Sequence, residues 1–149
     1  MIDGVKITEK KQIFDERGKV MHMIKASDPE FNNFGEIYFS CINPGVIKAW
    51  HIHKKMTLNY IVLSGQIKFV IFDSRKDSNT YGEIMELFLS PENYKLVTIP
   101  PNVWNGFKGL GNTVSIVANC SDYEYADDEI MREDYDSQII PYNWNIKFS

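Results

Sequence analysis

The stretch GVIKAWHIHKKMTLNYIVLSG, residues 45–65, carries His51 and His53 inside a run of apolar and β-prone residues. Side chains alternate along a strand, so residues two apart point to the same face. Two imidazoles on one face can hold a metal, abstract a proton, or fill space as satisfied interior groups. An ordinary histidine pKa of about 6.5 suits proton abstraction, because the neutral form is populated near neutral pH and is still basic.

The elements that must position these histidines are short strands. Helical periodicity is scarce, whereas β-branched and aromatic runs recur between turn sequences. The runs predict strands at residues 36–42, 58–65, 66–73, 83–90, 94–100 and 112–120. Regular short strands of this kind predict an all-β sandwich or barrel. The acidic segment 122–138 is the one region for which a helix or an irregular cap is expected.

Composition and length narrow the class of protein. A chain of 149 residues fits one domain, 1–149, with a single core. The net charge of -4 argues against a broad nucleic-acid surface. The N-terminus lacks a signal-peptide core and no apolar run is long enough for a bilayer, which predicts a cytoplasmic protein without membrane contacts. Cys41 and Cys120 are too few for a disulfide framework, and both are expected to be reduced and buried.

Two segments resemble the cupin motifs. The spacing from Gly45 through the histidines to Gly65 is similar to the first motif, and IPPNVWNGF, residues 99–107, is similar to the second. The resemblance implies a jelly-roll barrel with both histidines facing its interior. A cupin metal site would have a glutamate at Leu58 and a histidine at Asn105. Because a stable transition-metal site usually wants three or four ligands, neither a bound metal nor another cofactor is expected.

A closer resemblance is to the dTDP-4-dehydrorhamnose 3,5-epimerase family, within the same superfamily. It is carried by residues 15–20 (DERGKV), 45–51 (GVIKAWH), 72–107 and 140–144 (IPYNW). The family acts without metal on nucleotide-linked 4-keto-6-deoxy sugars and is normally dimeric, which implies a homodimer here. By this resemblance His51 is the catalytic base. Arg17 and Lys48 fall where arginines approach the diphosphate, and Glu36 and Tyr38 lie on a strand that helps to bind the nucleotide.

Several of the family's catalytic residues have no counterpart. The lysine that steadies the enolate oxygen would lie at Leu58, and the catalytic tyrosine near Ala118. The binding-site glutamate after DERG appears as His22, and the aspartate that pairs with the base follows the final tryptophan motif and is not supplied. Loss of one donor to the enolate oxygen costs on the order of 10²–10³ in rate. Either His53, Tyr38 or His22 supplies the missing donor for a changed reaction, or the pocket only binds.

A second, shorter resemblance is to the dTDP-sugar 3,4-ketoisomerases. It rests on HIHKK, residues 51–55, and DDEIMREDY, residues 127–135. It implies a histidine base with a tyrosine acid from the preceding strand, for which Tyr38 is the natural residue. The candidate catalytic residues are therefore His51, Tyr38 and His53. The candidate substrate-binding residues are Arg17, Lys48, Glu36, His22 and Asn105.

Three classes of function remain open from the sequence. The leading hypothesis is a nucleotide-sugar epimerase or ketoisomerase of deoxysugar or polysaccharide biosynthesis, which acts by metal-free proton abstraction next to a ketone. The alternative is a catalytically inactive relative that binds a sugar nucleotide or a partner. The third is a metal-dependent cupin, which the residues at positions 58 and 105 disfavour.

Overall fold

The computed structural model describes residues 1–145, and this range consists of strands and loops without a helix. The strands are β1 (Lys6–Glu9), β2 (Gln12–Asp15), β3 (Gly18–Met21), β4 (Glu36–Ile42), β5 (Ile47–His53), β6 (Leu58–Ser64), β7 (Ile67–Phe72), β8 (Ile84–Leu89), β9 (Lys95–Ile99), β10 (Trp104–Gly109), β11 (Ser115–Ser121) and β12 (Ile130–Arg132). The all-β prediction is confirmed, and the six predicted strands appear as β4, β6, β7, β8, β9 and β11 with small shifts at their ends.

Two five-stranded antiparallel sheets face each other as a jelly roll. Their strand orders are β1-β9-β6-β11-β4 and β12-β5-β10-β7-β8, and β2 and β3 form a separate hairpin. Between the sheets lies the main apolar core, which takes alternate residues of β6 and β7, among them Leu58, Tyr60 and Val62 of β6. The intervening Ile61 points outward, to a cluster covered by residues 21–24. This period of two is what the pleated strand requires.

The outer face of the second sheet is covered by the C-terminal segment. Trp50 and Ile52 of β5 pack there with Ile140 and Trp144. Because successive side chains alternate, the neighbouring His51 faces the interior, and His53 two residues on does the same. The prediction that the histidines share an inward face is confirmed by the interior cavity that both line.

A close approach between β5 and β10 fixes the register beside His51. A side chain at Gly106 would collide with the methyl group of Ala49, so only glycine fits at this crossing. The register shifts between Asn105 and Phe107, which leaves Asn105 directly opposite His51.

Of the two alternatives expected for segment 122–138, the irregular cap is the one observed. The cap includes β12, which pairs with β5 and so completes the sheet that carries the histidines. One expectation from the sequence is wrong. Cys120 is buried as expected, but Cys41 is exposed because it lies on β4, an edge strand. Both thiols are free. Residues 1–145 include no helix of the length and apolarity that crossing a bilayer would take.

Candidate active site

The site is built from two rows of side chains, one on each sheet. In the second sheet, His51 on β5 has Asn105 of β10 and Arg132 of β12 as its register partners. In the first sheet, Asn119 of β11 has Tyr38 of β4 and Tyr60 of β6 as its register partners. Residues paired in this way share one face of the sheet. The two rows therefore face each other across the barrel interior.

One hydrogen bond joins the two rows. Nε2 of His51 lies 3.1 Å from the hydroxyl of Tyr60, and which atom donates depends on the histidine tautomer. Tyr60 is almost fully buried, whereas His51 is partly exposed to the cavity. The ring of Tyr60 packs against Phe69 and Phe107, so the position of its hydroxyl is set by the core. The imidazole is consequently anchored from the opposite sheet.

Tyr38 is held by a chain of amides within the first sheet. Nδ2 of Asn119 donates to the Tyr38 hydroxyl at 3.0 Å, and Oδ1 of Asn119 accepts the backbone N–H of Asn59 at 3.0 Å. Oδ1 of Asn59 in turn accepts the hydroxyl of Thr98 at 2.7 Å. Each of these buried polar groups has a partner, which is what makes such a network rigid. The network directs the Tyr38 hydroxyl to a defined place.

His53 forms a buried pair with Glu129. Nδ1 of His53 lies 2.5 Å from Oε1 of Glu129, and Oε2 accepts the backbone N–H groups of Lys55 and Met56 at 2.8 and 2.9 Å. Burial opposes ionisation of this carboxyl group, but the hydrogen bonds from His53 and the two amides hold the pKa of Glu129 below its ordinary value. The rings of His51 and His53 meet edge to face with centroids 5.6 Å apart. The pair thus positions His53 beside His51.

The surroundings of His51 keep it neutral. Burial lowers its pKa to about 3, with smaller contributions from the nearby His53 and Arg132. Desolvation acts in this direction because it disfavours the charged imidazolium. At neutral pH His51 therefore carries a free lone pair on one ring nitrogen, which is the form that a base requires.

Two cavities open on either side of this centre. The larger, of about 500 Å³, is lined by Lys48, Phe107 and Tyr60 among others. The smaller, of about 350 Å³, includes Glu36 and His53. Tyr38, His51 and Arg132 line both cavities and form the wall between them.

The charged candidates at the cavity mouth have defined contacts. Nζ of Lys48 reaches from β5 to β4 and donates to Oγ of Ser40 at 3.2 Å and to the carbonyl of Cys41 at 2.7 Å. Oε1 of Glu36 accepts the backbone N–H of Tyr125 at 2.7 Å. Lys48 and Arg132 are thus the two cations at the larger cavity.

Two sequence candidates lie elsewhere in the same protomer. Arg17 is in the β2–β3 turn with 86% of its side chain exposed and is paired with Asp15 at 2.7 Å. His22 is exposed and borders a different depression, beside Lys25 and Asp28. The fold therefore does not bring either of them to His51 within one chain.

Asn105 is beside His51 but not at the cavity surface. Its side chain is fully buried, and both polar atoms of its amide lack a hydrogen-bond partner among residues 1–145. In the same described range, no three His, Cys, Asp or Glu side chains come together as a set of metal ligands.

The positions at which the family pattern fails have different surroundings. Leu58 lies in the main core between the sheets. Ala118 faces the outer cluster under residues 21–24, so the inward place on β11 is taken by Asn119. The position of the family's C-terminal aspartate lies outside the described residues.

Sequence reasoning missed Tyr60, Asn119, Glu129 and Arg132. The alternation Leu58, Tyr60, Val62 indicates one inward face, but which strands lie opposite it depends on register. Glu129 and Arg132 belong to the segment DDEIMREDY that resembles the ketoisomerases, so a signal was present without a role attached to each residue. Pairing of β12 with β5 is what brings them to the histidines.

Comparisons with known proteins agree on one family. The family model of dTDP-4-dehydrorhamnose 3,5-epimerase matches residues 1–149. The spore coat polysaccharide biosynthesis protein SpsL of Bacillus subtilis is 32% identical over 150 residues, covering 99% of this chain and 99% of that protein.

Solved structures give the same answer. A dTDP sugar isomerase from Desulfovibrio desulfuricans has a TM-score of 0.94 and 41% identity, over 96% of this chain and 92% of that one. The 3,5-epimerase of Legionella pneumophila in complex with dTDP-4-keto-L-rhamnose has a TM-score of 0.87 and 26% identity, over 99% of this chain and 81% of that one. Members of the matched family are sugar epimerases, a class of isomerase. The chain belongs to the dTDP-4-dehydrorhamnose 3,5-epimerase family.

Proposed function

We propose that this protein is an isomerase of dTDP-linked 4-keto-6-deoxyhexoses, in which His51 removes a proton from a carbon next to the ketone. The observation that carries the proposal is a neutral His51 anchored by Tyr60 on the wall of a cavity of about 500 Å³. The Legionella relative with its bound dTDP sugar supports the substrate class. The spore coat relative supports a place in polysaccharide biosynthesis.

The chemistry needs a base and a group that stabilises the enolate. His51 is the base, since its neutral form is available at working pH. A hydrogen-bond donor or positive charge near the developing oxyanion is typically worth about 10²–10³ in rate. Tyr38 and Arg132 line the same cavity wall as His51 and take this part in place of the missing lysine. His53, fixed by Glu129, orients the base and borders the sugar.

The diphosphate requires cations, and this chain offers three. Lys48 and Arg132 lie at the larger cavity of the same protomer. Arg17 lies on an exposed hairpin, so it can reach a diphosphate only in the cavity of another protomer. A diphosphate at Arg132 also offsets one of the charges that lower the pKa of His51, which strengthens the base when substrate is bound.

The exposed apolar surface supports a homodimer, which the proposed use of Arg17 requires. The edge strand β4 leaves Ile37 51% and Phe39 60% exposed, and the β2–β3 hairpin does the same with Ile13 and Phe14. An unpaired edge strand with exposed apolar side chains is a ready surface for another chain. We therefore assign β4 and the hairpin to the interface between two copies. The cytoplasmic location expected from the sequence stays a prediction.

The second candidate is a binding protein without catalysis. It is favoured by the apolar residue at Leu58 and by the outward position of Ala118, which leave the family's lysine and tyrosine without direct replacements. Both candidates bind the nucleotide sugar, so binding alone does not separate them.

The deciding experiment is incubation with dTDP-4-keto-6-deoxyglucose in D₂O, followed by NMR of the sugar. The isomerase incorporates deuterium at a carbon next to the ketone and forms a new epimer or ketoisomer. Thermal stabilisation by the same compound without any deuterium incorporation supports the binding protein, because a ligand of the folded state raises the melting temperature whether or not it reacts.

A further inference from the structure

We propose that Tyr60 is a proton-relay residue that connects the base His51 to the acid Tyr38; this inference rests on the proposed function. The Tyr60 hydroxyl is 3.1 Å from Nε2 of His51. Tyr38 and Tyr60 flank Asn119 from its two neighbouring strands and line the same cavity. The relay accounts for the buried hydroxyl of Tyr60, which packing of the ring in the core does not require.

The two tyrosines lie on the same face of the first sheet, on either side of Asn119. Strands in a sheet are about 4.8 Å apart, so two residues that flank a third strand start about 10 Å apart on one face. The pKa of Tyr60 is raised well above its ordinary value, first by burial and then by the charge and hydrogen bond of Tyr38. A phenol oxygen has two acceptor sites and one proton. Asn119 occupies one acceptor site of Tyr38. In the proposed relay Tyr60 donates to the other acceptor site, which leaves the proton of Tyr38 for the cavity.

The relay has a direction set by the two nitrogens of His51. Nδ1 has no hydrogen-bond partner among residues 1–145, so it is the nitrogen left for the substrate, while Nε2–H donates to Tyr60. The substrate C–H bond breaks, its proton goes to Nδ1, and its electron pair remains on the substrate as the enolate. The enolate carbon then takes the proton of Tyr38, Tyr38 takes that of Tyr60, and Tyr60 takes that of Nε2.

Every proton in this sequence is accounted for without another reactant. His51 ends neutral with the substrate proton on Nδ1, and exchange with water restores the starting tautomer. His51 and Tyr38 belong to opposite sheets, so they approach a ring between them from opposite sides. Removal on one side and return on the other inverts the carbon. The relay therefore predicts that Tyr60 serves inversion more than proton abstraction.

Tyr60→Phe tests this with little change in packing. The ring contacts to Phe69 and Phe107 remain, and only the hydroxyl is lost. With dTDP-4-keto-6-deoxyglucose in D₂O, inverted product should fall by roughly 10². Deuterium uptake into substrate of unchanged configuration should fall much less, by about tenfold or less, through the lost anchor of His51. The control is Tyr142→Phe, which removes a hydroxyl bonded to Glu86 on the outer face and should change neither rate.

A double variant separates a relay from two independent donors. Residues that act as one unit give strongly non-additive effects. The double variant Tyr38→Phe/Tyr60→Phe should therefore form inverted product at a rate no more than about threefold below that of the slower single variant. Multiplied effects, or parental inversion by Tyr60→Phe, would overturn the relay. If the parent itself takes up no deuterium, the proposed function fails rather than the relay alone.

Should Tyr60→Phe not fold, 3-fluorotyrosine at position 60 keeps the hydroxyl and the packing while making the phenol more acidic. It should then change inversion but not exchange, and an unchanged inversion rate refutes the relay.

Discussion

At the scale of single residues, the environment of His51 matters more than its identity. An imidazole in water is half protonated at a pH of about 6.5. Here burial, and then His53 and Arg132, move that point to a pKa of about 3. A base whose folded pKa is lowered keeps its active neutral form at every pH above the lowered value. Loss of activity through protonation of His51 is therefore displaced toward acid.

The pH dependence of catalysis follows from this shift. We expect kcat/KM, which reports the free enzyme, to show no acid-side inflection from His51 between pH 5 and 8, because the imidazole stays neutral well above its pKa of about 3. The measurement is kcat/KM between pH 5 and 8 with a fixed buffer ionic strength. An inflection at 6–7 that is absent from a slow but active His51 variant would mean that the imidazole is solvated and ordinary.

Asn105 offers a test in which stability and activity move in opposite directions. An unpaired buried amide costs about 1–3 kcal/mol, so Asn105→Leu, of similar volume, should raise the free energy of unfolding by about 1–2 kcal/mol. If the amide serves the substrate, as the sequence predicts, deuterium exchange should fall by about tenfold. Urea denaturation and NMR exchange measure the two effects. Asn119→Leu is the matched control, because its amide is bonded at both ends and its loss should destabilise.

At the scale of elements, the three-residue strand β12 helps to position the groups around His51 and His53. It pairs with β5, brings Arg132 opposite His51, and follows Glu129, which accepts bonds from His53, Lys55 and Met56. Glu129 therefore fastens the irregular segment to the histidine strand.

Glu129→Gln should lower the free energy of unfolding by about 1.5–3 kcal/mol, because charge-assisted hydrogen bonds become neutral ones. A carboxyl group whose folded pKa is lowered stabilises above its ordinary value of 4.5 and loses this contribution as pH falls through the lowered value. The difference between parent and variant should thus narrow below pH 4.5. Denaturation at pH 7 and pH 4 measures it, with the exposed Glu124→Gln as control. An equal difference at both pH values contradicts an ionised Glu129 carboxylate.

The elements also show what the sequence could and could not predict. Strand β4 was predicted at its observed bounds, Glu36–Ile42, because its pattern is local. The inward pair His51 and His53 likewise follows from strand alternation. Tyr60 was not identified, since its role depends on which strand lies across the barrel. The acidic segment was open to a helix, since the partner of β12 is far away in the chain.

At the scale of the whole molecule, the proposed use of Arg17 requires two copies of the chain. Phe39→Glu on the edge strand β4 should convert a dimer into a monomer of 17.3 kDa, as measured by light scattering. The control is Phe88→Glu, which places the same charge on exposed β8 at the edge of the other sheet and should leave the mass unchanged. A monomeric parent, or a dimer that withstands Phe39→Glu, contradicts the assigned interface.

The role of Arg17 across the interface can be tested by mixing two variants. Arg17→Ala and His51→Asn should each be impaired alone. In a two-fold dimer with Arg17 acting in the partner's cavity, a mixed dimer has one complete site, so an equal mixture should recover about a quarter of parental activity. Parental activity of Arg17→Ala alone would place Arg17 outside catalysis. Impaired single variants with no recovery on mixing would place it in its own protomer's site.

The most direct test of the central claim is deuterium exchange by His51→Asn. A general base contributes about 10²–10⁴ in rate, so exchange at the carbon next to the ketone should fall by at least 10². Affinity for the dTDP sugar should change little, because Lys48, Arg132 and Arg17 remain, and thermal melting must first show that the variant is folded. His53→Asn should have a smaller effect. Exchange by folded His51→Asn at the parental rate would contradict the claim that His51 is the base.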